Sequence, residues 1–381
     1  MMNSASRRPK LAIIYGPLLH YRIALFDALS ERYDLTVFTT AFVGPRAHLG
    51  FKVEVIRPWR IGSFQVQPGL RGQLRHGRFD SCISFVDVRH IDSLAAVFFP
   101  VAPQMFCWGV WLTRSEMANR IRLAAVNRCE AAVFYCQQHL EQIVARGVDP
   151  DRLYVAPNTV AMPHMISPSP PEARDSILFV GSFTARKGLD RLLRLFASAL
   201  PEMPGRVRFV LVGDGPEQAR LVTLVSDLGL ADRVEMPGRV NDPDALAPYY
   251  ARALVSVSLS QAGLSVLQSM GFGVSFLTLG GSVSGGETSN ITDGVTGFLV
   301  ADDDAAIIAT LRDIAGNPAR AAAMGAAAQA HYQCYASIQN YAQGFFDMLV
   351  STRLTRVWKG DATAGASSGH ELSIVKQEEM G

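Results

Sequence analysis

Short apolar runs, mostly five or six residues long, recur along the chain and alternate with stretches of helical periodicity. Such runs predict buried strands, and their alternation with helices is typical of parallel, doubly wound sheets. In the first half, the pattern predicts strands at Lys10–Tyr15, Leu35–Thr39, Ser81–Phe85, Gln104–Trp108 and Ala132–Tyr135, and helices at Arg22–Tyr33 and Asn119–Arg128. In the second half, it predicts strands at Ser176–Val180, Arg208–Val212, Val234–Met236, Leu254–Ser258 and Val274–Leu277, and helices at Leu189–Leu200, Pro216–Leu228, Asp244–Ala251 and Leu264–Phe272.

A break in this pattern predicts two domains. Residues 1–161 form the first domain, and the proline-rich segment 162–175, which has no periodicity, is expected to be a linker. The second domain spans residues 176–335 and ends in an alanine-rich helix predicted at Ala305–Tyr335.

The chain beyond the second domain divides in two. An amphipathic helix is predicted at Tyr341–Val350, within a segment 336–355 that is placed to cross back to the first domain. The Ser-, Gly- and Glu-containing segment 356–381 is expected to be a disordered tail.

Composition agrees with two globular domains, because the 381 residues are 49% hydrophobic and 18% charged. The five cysteines lack C-x-x-C spacing, so neither a zinc site nor a disulfide framework is expected, which fits the cytoplasm. Ser93–Leu112 contains no charged residue and is long enough to span a membrane. Because Pro100 and Pro103 interrupt it, we favour a helix end, a turn and a buried strand over a transmembrane helix.

Charge is distributed unevenly, with net +7 in residues 1–160 and −5 in the remainder. The first half carries two basic clusters, Arg71, Arg75, His76 and Arg78, and then Arg114, Arg120, Arg122 and Arg128 on a predicted amphipathic helix. Either cluster could contact anionic lipid headgroups or simply be a solvated surface. No nucleic-acid partner is expected, because aromatic side chains are not interleaved with these cations.

The clearest chemical signal follows the strand predicted at Ser176–Val180. Gly181 and Ser182 form a turn, and Arg186 and Lys187 come before an amphipathic helix. This order places backbone N–H groups and two cations at the carboxyl end of a strand. Such an arrangement suits the binding of a nucleotide diphosphate.

Three blocks in this order, Val180–Gly188, Leu211–Pro216 and Gln261–Met270, resemble the nucleotide-sugar-binding half of glycosyltransferase family 4. The resemblance is best over residues 155–350. It implies the α/β GT-B fold, in which two Rossmann-like, doubly wound parallel-sheet domains face a central cleft. It also implies transfer of a sugar from a UDP- or GDP-sugar to a hydroxyl of a glycan or polyprenyl-linked acceptor. The expected process is surface polysaccharide biosynthesis. The reaction is expected to retain the anomeric configuration of the sugar.

The leaving diphosphate gains negative charge as the glycosidic bond breaks. Arg186 and Lys187 are the candidates to stabilise it, so neither a metal nor another cofactor is expected. The N–H groups of Gly263, Leu264 and Ser265, at a predicted helix start, are expected to bind the same diphosphate. The resemblance also implies donor-binding roles for Gly16, Gly181, Ser182, Arg239, Val240, Ser260 and Gln268, with Arg239 and Val240 beside the nucleobase.

The sequence departs from the family pattern at one important pair of positions. The family has two glutamates eight residues apart, and Ser260 and Gln268 occupy the matching positions. Gln268 can still hydrogen-bond a ribose, whereas Ser260 cannot replace a carboxylate. Glu287, after a glycine-rich loop, is the nearest candidate substitute, or else a first-turn acid of a helix. A non-catalytic GT-B nucleotide-binding or scaffold protein and a nucleotide-sugar epimerase are the alternatives.

The first domain offers fewer signals. Gly16 and Arg22 flank the loop after the first strand and are candidates to contact the acceptor or the donor phosphate. His20 is a candidate base or a plain helix-start residue. Asp87 and Arg89 follow the strand that ends at Phe85, and are expected to contact the acceptor.

Overall fold

Two parallel β-sheets, one from each half of the chain, organise the computed structural model of the protein. It describes residues 7–44, 49–162 and 170–361, without the side chains of 352–361. This architecture confirms the predicted fold class of two doubly wound α/β domains.

The first domain contains a seven-stranded sheet and a small antiparallel hairpin. Its strands in chain order are β1 Lys10–Tyr15, β2 Asp34–Thr39, β3 Lys52–Val55, β4 Trp59–Ile61, β5 Phe64–Val66, β6 Ser81–Phe85, β7 Gln104–Trp108, β8 Ala131–Phe134 and β9 Leu153–Val155. The sheet has the order β3-β2-β1-β6-β7-β8-β9, with parallel pairing throughout, and β4 pairs only with β5. The helices of this domain are α1 His20–Ser30, α2 Leu70–Gly77, α3 Ile91–Phe98, α4 Glu116–Arg128 and α5 Gln137–Val144.

The second domain is built on a six-stranded parallel sheet of order β12-β11-β10-β13-β14-β15. Its strands are β10 Ser176–Val180, β11 Arg208–Val212, β12 Val234–Gly238, β13 Ala253–Val257, β14 Phe276–Leu279 and β15 Gly297–Val300. Its helices are α6 Leu189–Ala199, α7 Gln218–Asp227, α8 Pro243–Ala251, α9 Ser265–Gly271, α10 Asp304–Gly316 and α11 Pro318–Tyr335. Helix α12, Ile338–Asp361, follows this domain. The helices pack through apolar stripes, as in α6, where buried residues recur at the i, i+3, i+4 and i+7 positions Leu189, Leu192, Leu193 and Phe196.

Helix α12 lies against the first domain, although it follows the second in sequence. It contacts α1, β8 and β9, and Tyr341, Phe345 and Leu349 are buried in the core that contains Trp108. Gly344 permits this close packing, because a Cβ atom there would overlap the carbonyl oxygen of Val155. The first domain therefore completes its core with residues from near the end of the chain.

The structure corrects two sequence predictions in this region. The single helix predicted at Ala305–Tyr335 is two helices, because Pro318 has no N–H to continue α10 and instead begins α11. Helix α12 continues to Asp361, so its last residues occupy the start of the predicted disordered tail. Residues 362–381 of that tail, and residues 163–169 of the predicted linker, lie outside the described residues.

The uncharged segment Ser93–Leu112 contains most of α3, a turn and β7, as the favoured interpretation predicts. Within the described ranges, no helix has both the length and the apolar character needed to cross a bilayer.

Candidate functional site

A cavity of about 320 Å³ lies between the two domains, at the carboxyl ends of strands in the second sheet. The first domain contributes His20 and Tyr21, at the start of α1, and Val160. The second domain contributes most of the lining, namely Val180, Gly181, Ser182, Lys187, Val212, Gly213, Asp214, Arg239, Val240, Asn241, Leu246, Gly263, Leu264, Ser265 and Gln268. The cavity thus brings together ten of the residues predicted from sequence.

One wall of the cavity is formed by two loops whose backbones touch. The loop after β10 contains Gly181, and the loop after β11 contains Gly213 and Gly215, all three with positive φ. A Cβ atom at Gly213 would overlap the carbonyl oxygen of Gly181, and one at Gly215 would overlap that of Phe183. Because only glycine has no Cβ, these positions require it.

Two cationic side chains, Lys187 and Arg239, line the cavity. Lys187 Nζ donates to the carbonyl oxygen of Gln261 at 3.2 Å. Burial lowers the pKa of Lys187, neighbouring Arg186 lowers it further, and the carboxylate of Glu287 opposes both effects. Arg186 is exposed and does not line the cavity in this structure.

Ser260 lies beside the pair Arg186 and Lys187. Gly188, which follows Lys187, has φ +62°, and a Cβ atom there would be 2.6 Å from Ser260 Oγ. Ser260 is therefore close to the loop that carries both cations, although it does not line the cavity.

The start of α9 also lines the cavity. Gly263 and Leu264 precede the helix, and Ser265 is its first residue. The side chain of Gln268 is oriented by Tyr250, whose hydroxyl donates to Gln268 Oε1 at 3.3 Å. Tyr250 is itself fixed by a stacking contact with Phe272 at 4.4 Å between ring centroids.

Three polar residues of the lining interact with one another. Arg239 Nη1 is 3.7 Å from Asp214 Oδ1, and Arg239 Nε donates to Asn241 Oδ1 at 3.2 Å. The apolar side chains of Val240 and Leu246 line the cavity beside them. A flat aromatic base with polar edges would find both kinds of contact here.

Glu287 is buried between the domains and does not line the cavity. Its Oε1 accepts from Asn158 Nδ2 at 2.7 Å, and its Oε2 accepts from Ser284 Oγ at 3.0 Å and from Gly285 N at 2.8 Å. Since Asn158 precedes the interdomain segment, these bonds join the two halves of the chain. Glu287 is also the first residue of a short 3₁₀ helix, as the alternative interpretation of this acid expects.

Arg22 is not available to an acceptor in this structure, because it is only 3% exposed. Its Nε donates to Tyr15 at 3.0 Å, its Nη1 to Tyr341 at 2.6 Å and its Nη2 to Tyr135 at 3.4 Å. Burial alone would lower the pKa of Arg22, but the surrounding phenol oxygens raise it above its ordinary value. The sequence motif could not reveal this burial, because Tyr341 belongs to α12.

Three other predicted residues of the first domain, Gly16, Asp87 and Arg89, lie outside the cavity lining. Gly16 is buried, and a Cβ atom there would be 3.6 Å from His90 Cε1. Asp87 and Arg89 form an ion pair at 2.6 Å. Burial raises the pKa of Asp87, but hydrogen bonds from Arg89 outweigh it and the net pKa is lowered.

Several residues that line the cavity were not predicted from the sequence. Asp214 occurs within the Leu211–Pro216 block, and Asn241 follows Val240, so both had a signal close by. Tyr21 is next to His20, and their rings meet edge to face at 5.8 Å. Burial raises the pKa of Tyr21. Among the described residues, no group of three or more His, Cys, Asp or Glu side chains is arranged to hold a metal ion.

Residues 165–331 match the family model for glycosyl transferases group 1. A GDP-mannose-dependent alpha-(1-6)-phosphatidylinositol monomannoside mannosyltransferase of Mycolicibacterium smegmatis is 31% identical over 194 residues, which are 48% of each chain. A D-inositol 3-phosphate glycosyltransferase of Streptomyces avermitilis is 34% identical over 171 residues, 42% of this chain and 36% of that one. The chain thus spans about half or less of the length of these curated relatives.

The whole architecture has solved counterparts. Anabaena HepE in complex with UDP superposes with a TM-score of 0.68 at 17% identity, covering 90% of this chain and 100% of that one. At this identity the likeness establishes the fold, which is GT-B. Residues 165–331 thus resemble glycosyl transferases group 1, within a chain whose fold is GT-B.

Proposed function

We propose that the protein transfers a sugar from a nucleotide-diphosphate sugar to a hydroxyl of a glycan or lipid-linked saccharide. We also propose that it is a divergent member of glycosyltransferase family 4. The observation that carries the proposal is the interdomain cavity, where Lys187 and two glycine loops converge at the carboxyl ends of parallel strands. The match of residues 165–331 to glycosyl transferases group 1 supports it.

In the proposed complex, the diphosphate lies against Gly181, Ser182 and the start of α9, with Lys187 beside it. The base lies at the end formed by Arg239, Val240 and Asn241, and Gln268 reaches the ribose. Both UDP and GDP remain candidates, because HepE was solved with UDP and the Mycolicibacterium relative is named for GDP-mannose.

Lys187 and Arg186 then stabilise the charge that develops on the leaving diphosphate, with no metal required. Arg186 is exposed and adjacent to Lys187, and we propose that its side chain rotates onto the bound phosphate. Ser260 occupies the position of a glutamate in the family pattern. Glu287 compensates for that missing carboxylate only indirectly. Its buried carboxylate favours the protonated form of Lys187. We further propose that the reaction retains the anomeric configuration.

The acceptor enters from the first domain, past His20 and the loop that carries Asp87 and Arg89. His20 is exposed at the cavity and is the candidate base for the acceptor hydroxyl. A polyprenyl-linked acceptor in surface polysaccharide assembly fits the names of relatives that act on lipid or exopolysaccharide substrates. Such an acceptor places the enzyme at the inner face of the cell membrane.

One observation favours a second candidate, a GT-B protein that binds nucleotide without catalysis. Ser260 packs against Gly188, so no carboxylate reaches the cation loop from that position. The two candidates differ in turnover but share the nucleotide site.

Calorimetric titration with UDP, GDP, UDP-glucose, UDP-N-acetylglucosamine and GDP-mannose, with and without EDTA, tests the proposal. We expect one nucleotide family to bind saturably, unaffected by EDTA. The double variant Arg186→Gln, Lys187→Gln should lose binding, whereas Arg208→Gln should bind normally, since Arg208 is exposed at the opposite end of β11. Binding that survives the double variant contradicts the proposed cradle. Binding without sugar release or transfer favours the non-catalytic candidate.

A further inference from the structure

The β4–β5 hairpin of the first domain exposes three large apolar side chains. Trp59 is 67% exposed, Ile61 is 68% exposed and Phe64 is 48% exposed. In a soluble domain such residues usually occur singly, so three on one hairpin form an unusual apolar surface.

These side chains share one face of the hairpin. Trp59 pairs with Val66, Ile61 pairs with Phe64, and the intervening pair is Arg60 with Gln65. Because side chains alternate along a strand, the pairs on either side of Arg60–Gln65 point the same way. The apolar residues therefore form a continuous strip, with Arg60 on the opposite face.

The chain around this strip is basic and contains no acid. Between Val55 and Phe79 there are five arginines and a histidine, and neither aspartate nor glutamate occurs. Arg57, Arg60 and Arg75 are exposed. An apolar strip flanked in sequence by cations is complementary to an anionic bilayer, in which aromatic rings settle at the headgroup level.

The strip adjoins the acceptor side of the cleft. The N–H of Gln65 donates to the carbonyl oxygen of Arg89 at 2.8 Å, and Gln65 forms an isolated bridge with His90. His90 in turn lies beside Gly16, in the loop after β1. Ile91, the first residue of α3, is also exposed, at 41%.

The second basic region is a poorer membrane surface than its sequence suggests. Arg122 is 7% exposed and donates to Thr113 and Asn119, so it is not a surface cation. Of the large apolar residues on α4, Met117 alone is among the strongly exposed side chains of the described residues. The observations thus favour the hairpin over α4.

We propose that the β4–β5 hairpin inserts Trp59, Ile61 and Phe64 into the headgroup region of an anionic membrane, and that the neighbouring arginines bind the lipid phosphates. This contact would hold the acceptor side of the cleft at the bilayer surface. The proposal rests on the proposed function in one respect, because a lipid-linked acceptor would be located at the membrane. Membrane binding itself requires no sugar transfer.

Vesicle co-sedimentation of the full chain tests the proposal, using phosphatidylcholine alone or with about 30% phosphatidylglycerol. For the triple variant Trp59→Ser, Ile61→Ser, Phe64→Ser, we expect the affinity for anionic vesicles to fall by about tenfold or more. A matched control, Val222→Ser, Val295→Ser, Tyr335→Ser, removes three comparably exposed apolar residues from the second domain and should change binding less than about twofold. Arg57→Gln, which removes an exposed cation just before the strip, should weaken binding to anionic vesicles only.

Three results overturn the proposal. These are wild-type protein that ignores anionic vesicles, a hairpin variant that binds as wild type does, and a hairpin variant whose main change is loss of a dimer in sedimentation velocity. Nucleotide calorimetry on each variant separates this test from that of the proposed function. A folded hairpin variant keeps its nucleotide affinity, whereas failure of the nucleotide site leaves vesicle binding intact.

Discussion

The two edges that face the interdomain cavity are built differently. In the second domain, the loops after β10 and β11 meet backbone to backbone at Gly181, Gly213 and Gly215. In the first domain, side chains determine the edge, with Arg22 enclosed by three tyrosines and Asp87 paired with Arg89. An edge that requires glycine can be predicted from the local sequence. An edge formed by side chains that are distant in sequence can hardly be predicted in this way.

The largest effect is expected where the backbone contact is broken. Gly213→Ala introduces a Cβ atom against the Gly181 carbonyl at a positive φ, so we expect the free energy of unfolding to fall by about 3–4 kcal/mol. Nucleotide affinity should fall with it, because both loops line the cavity. Chemical denaturation and calorimetry measure the two effects.

Gly205→Ala is the matched control, since nothing lies within 4 Å of its added Cβ and its φ is not positive. We expect its unfolding free energy to stay within about 0.5 kcal/mol of wild type. Equal stability of the two variants would contradict a backbone-built edge.

A smaller loss of stability is expected at the edge of the first domain, which is formed by side chains. Arg22→Met keeps the apolar volume but leaves the Tyr15, Tyr135 and Tyr341 hydroxyls without their donor, while it removes a buried charge. We expect the unfolding free energy to fall by about 2 kcal/mol, since the lost hydrogen bonds outweigh the relief of burying the cation. Denaturant titration measures it.

Arg32→Met is the control for that variant, because Arg32 stacks on Phe346 of the same α12 but is exposed. Its loss should cost about 0.5–1 kcal/mol. An Arg22→Met protein as stable as wild type would show that the buried cation contributes nothing net.

The pH dependence of nucleotide binding tests whether the charge of Lys187, on the second-domain side of the cavity, contributes to affinity. Burial and Arg186 lower the pKa of Lys187, so its charge should be lost as pH rises through a value below the usual ~10.4 for lysine. Diphosphate affinity should therefore fall up to about tenfold per pH unit above that value. Calorimetry across this range measures the onset.

Two variants separate this titration from a general loss of structure. Lys187→Arg remains charged throughout, so the alkaline loss should disappear. Glu287→Gln removes the carboxylate that favours the charged amine, so the onset should move to lower pH. An unchanged onset in Glu287→Gln would contradict the role proposed for that acid.

The smallest effect is expected at the Asp87–Arg89 pair. Its Arg89 side chain is 61% exposed, so Asp87→Asn should cost less than about 1 kcal/mol at neutral pH. Because the pKa of Asp87 is lowered on folding, its contribution is present above the unfolded value of about 3.9 and is lost as pH falls through the lower folded value. Unfolding of both proteins at several pH values should show the difference vanish in acid.

Asp232→Asn, at an exposed position of the second domain, is the control for the same substitution. A reduced acceptor response in Asp87→Asn, with donor affinity unchanged, would assign the pair to the acceptor side.

The sequence predicted the sheets better than their edges. Ser176–Val180 and Arg208–Val212 coincide with β10 and β11, because a buried parallel strand is apolar along its whole length. The edge strand β3, Lys52–Val55, was missed because every second residue is exposed. The β4–β5 hairpin was missed because its apolar residues face outward and bury no core.

The same reasoning explains the candidate site. Lys187 and the glycines of the second domain were predictable, since local spacing fixes what a strand–turn–helix unit presents. The burial of Arg22 was not, because it depends on a tyrosine 319 residues away in sequence. The interdomain position of Glu287 likewise depends on Asn158, 129 residues earlier.

Helix α12 has a consequence for how the molecule assembles during synthesis. The first domain leaves the ribosome before the second, yet its core lacks Tyr341, Phe345 and Leu349 until α12 has also been made. The second domain has its own core from α6 to α11 and can fold while the first still waits. The half translated first is thus the half that matures last, and until then it must be kept from aggregating.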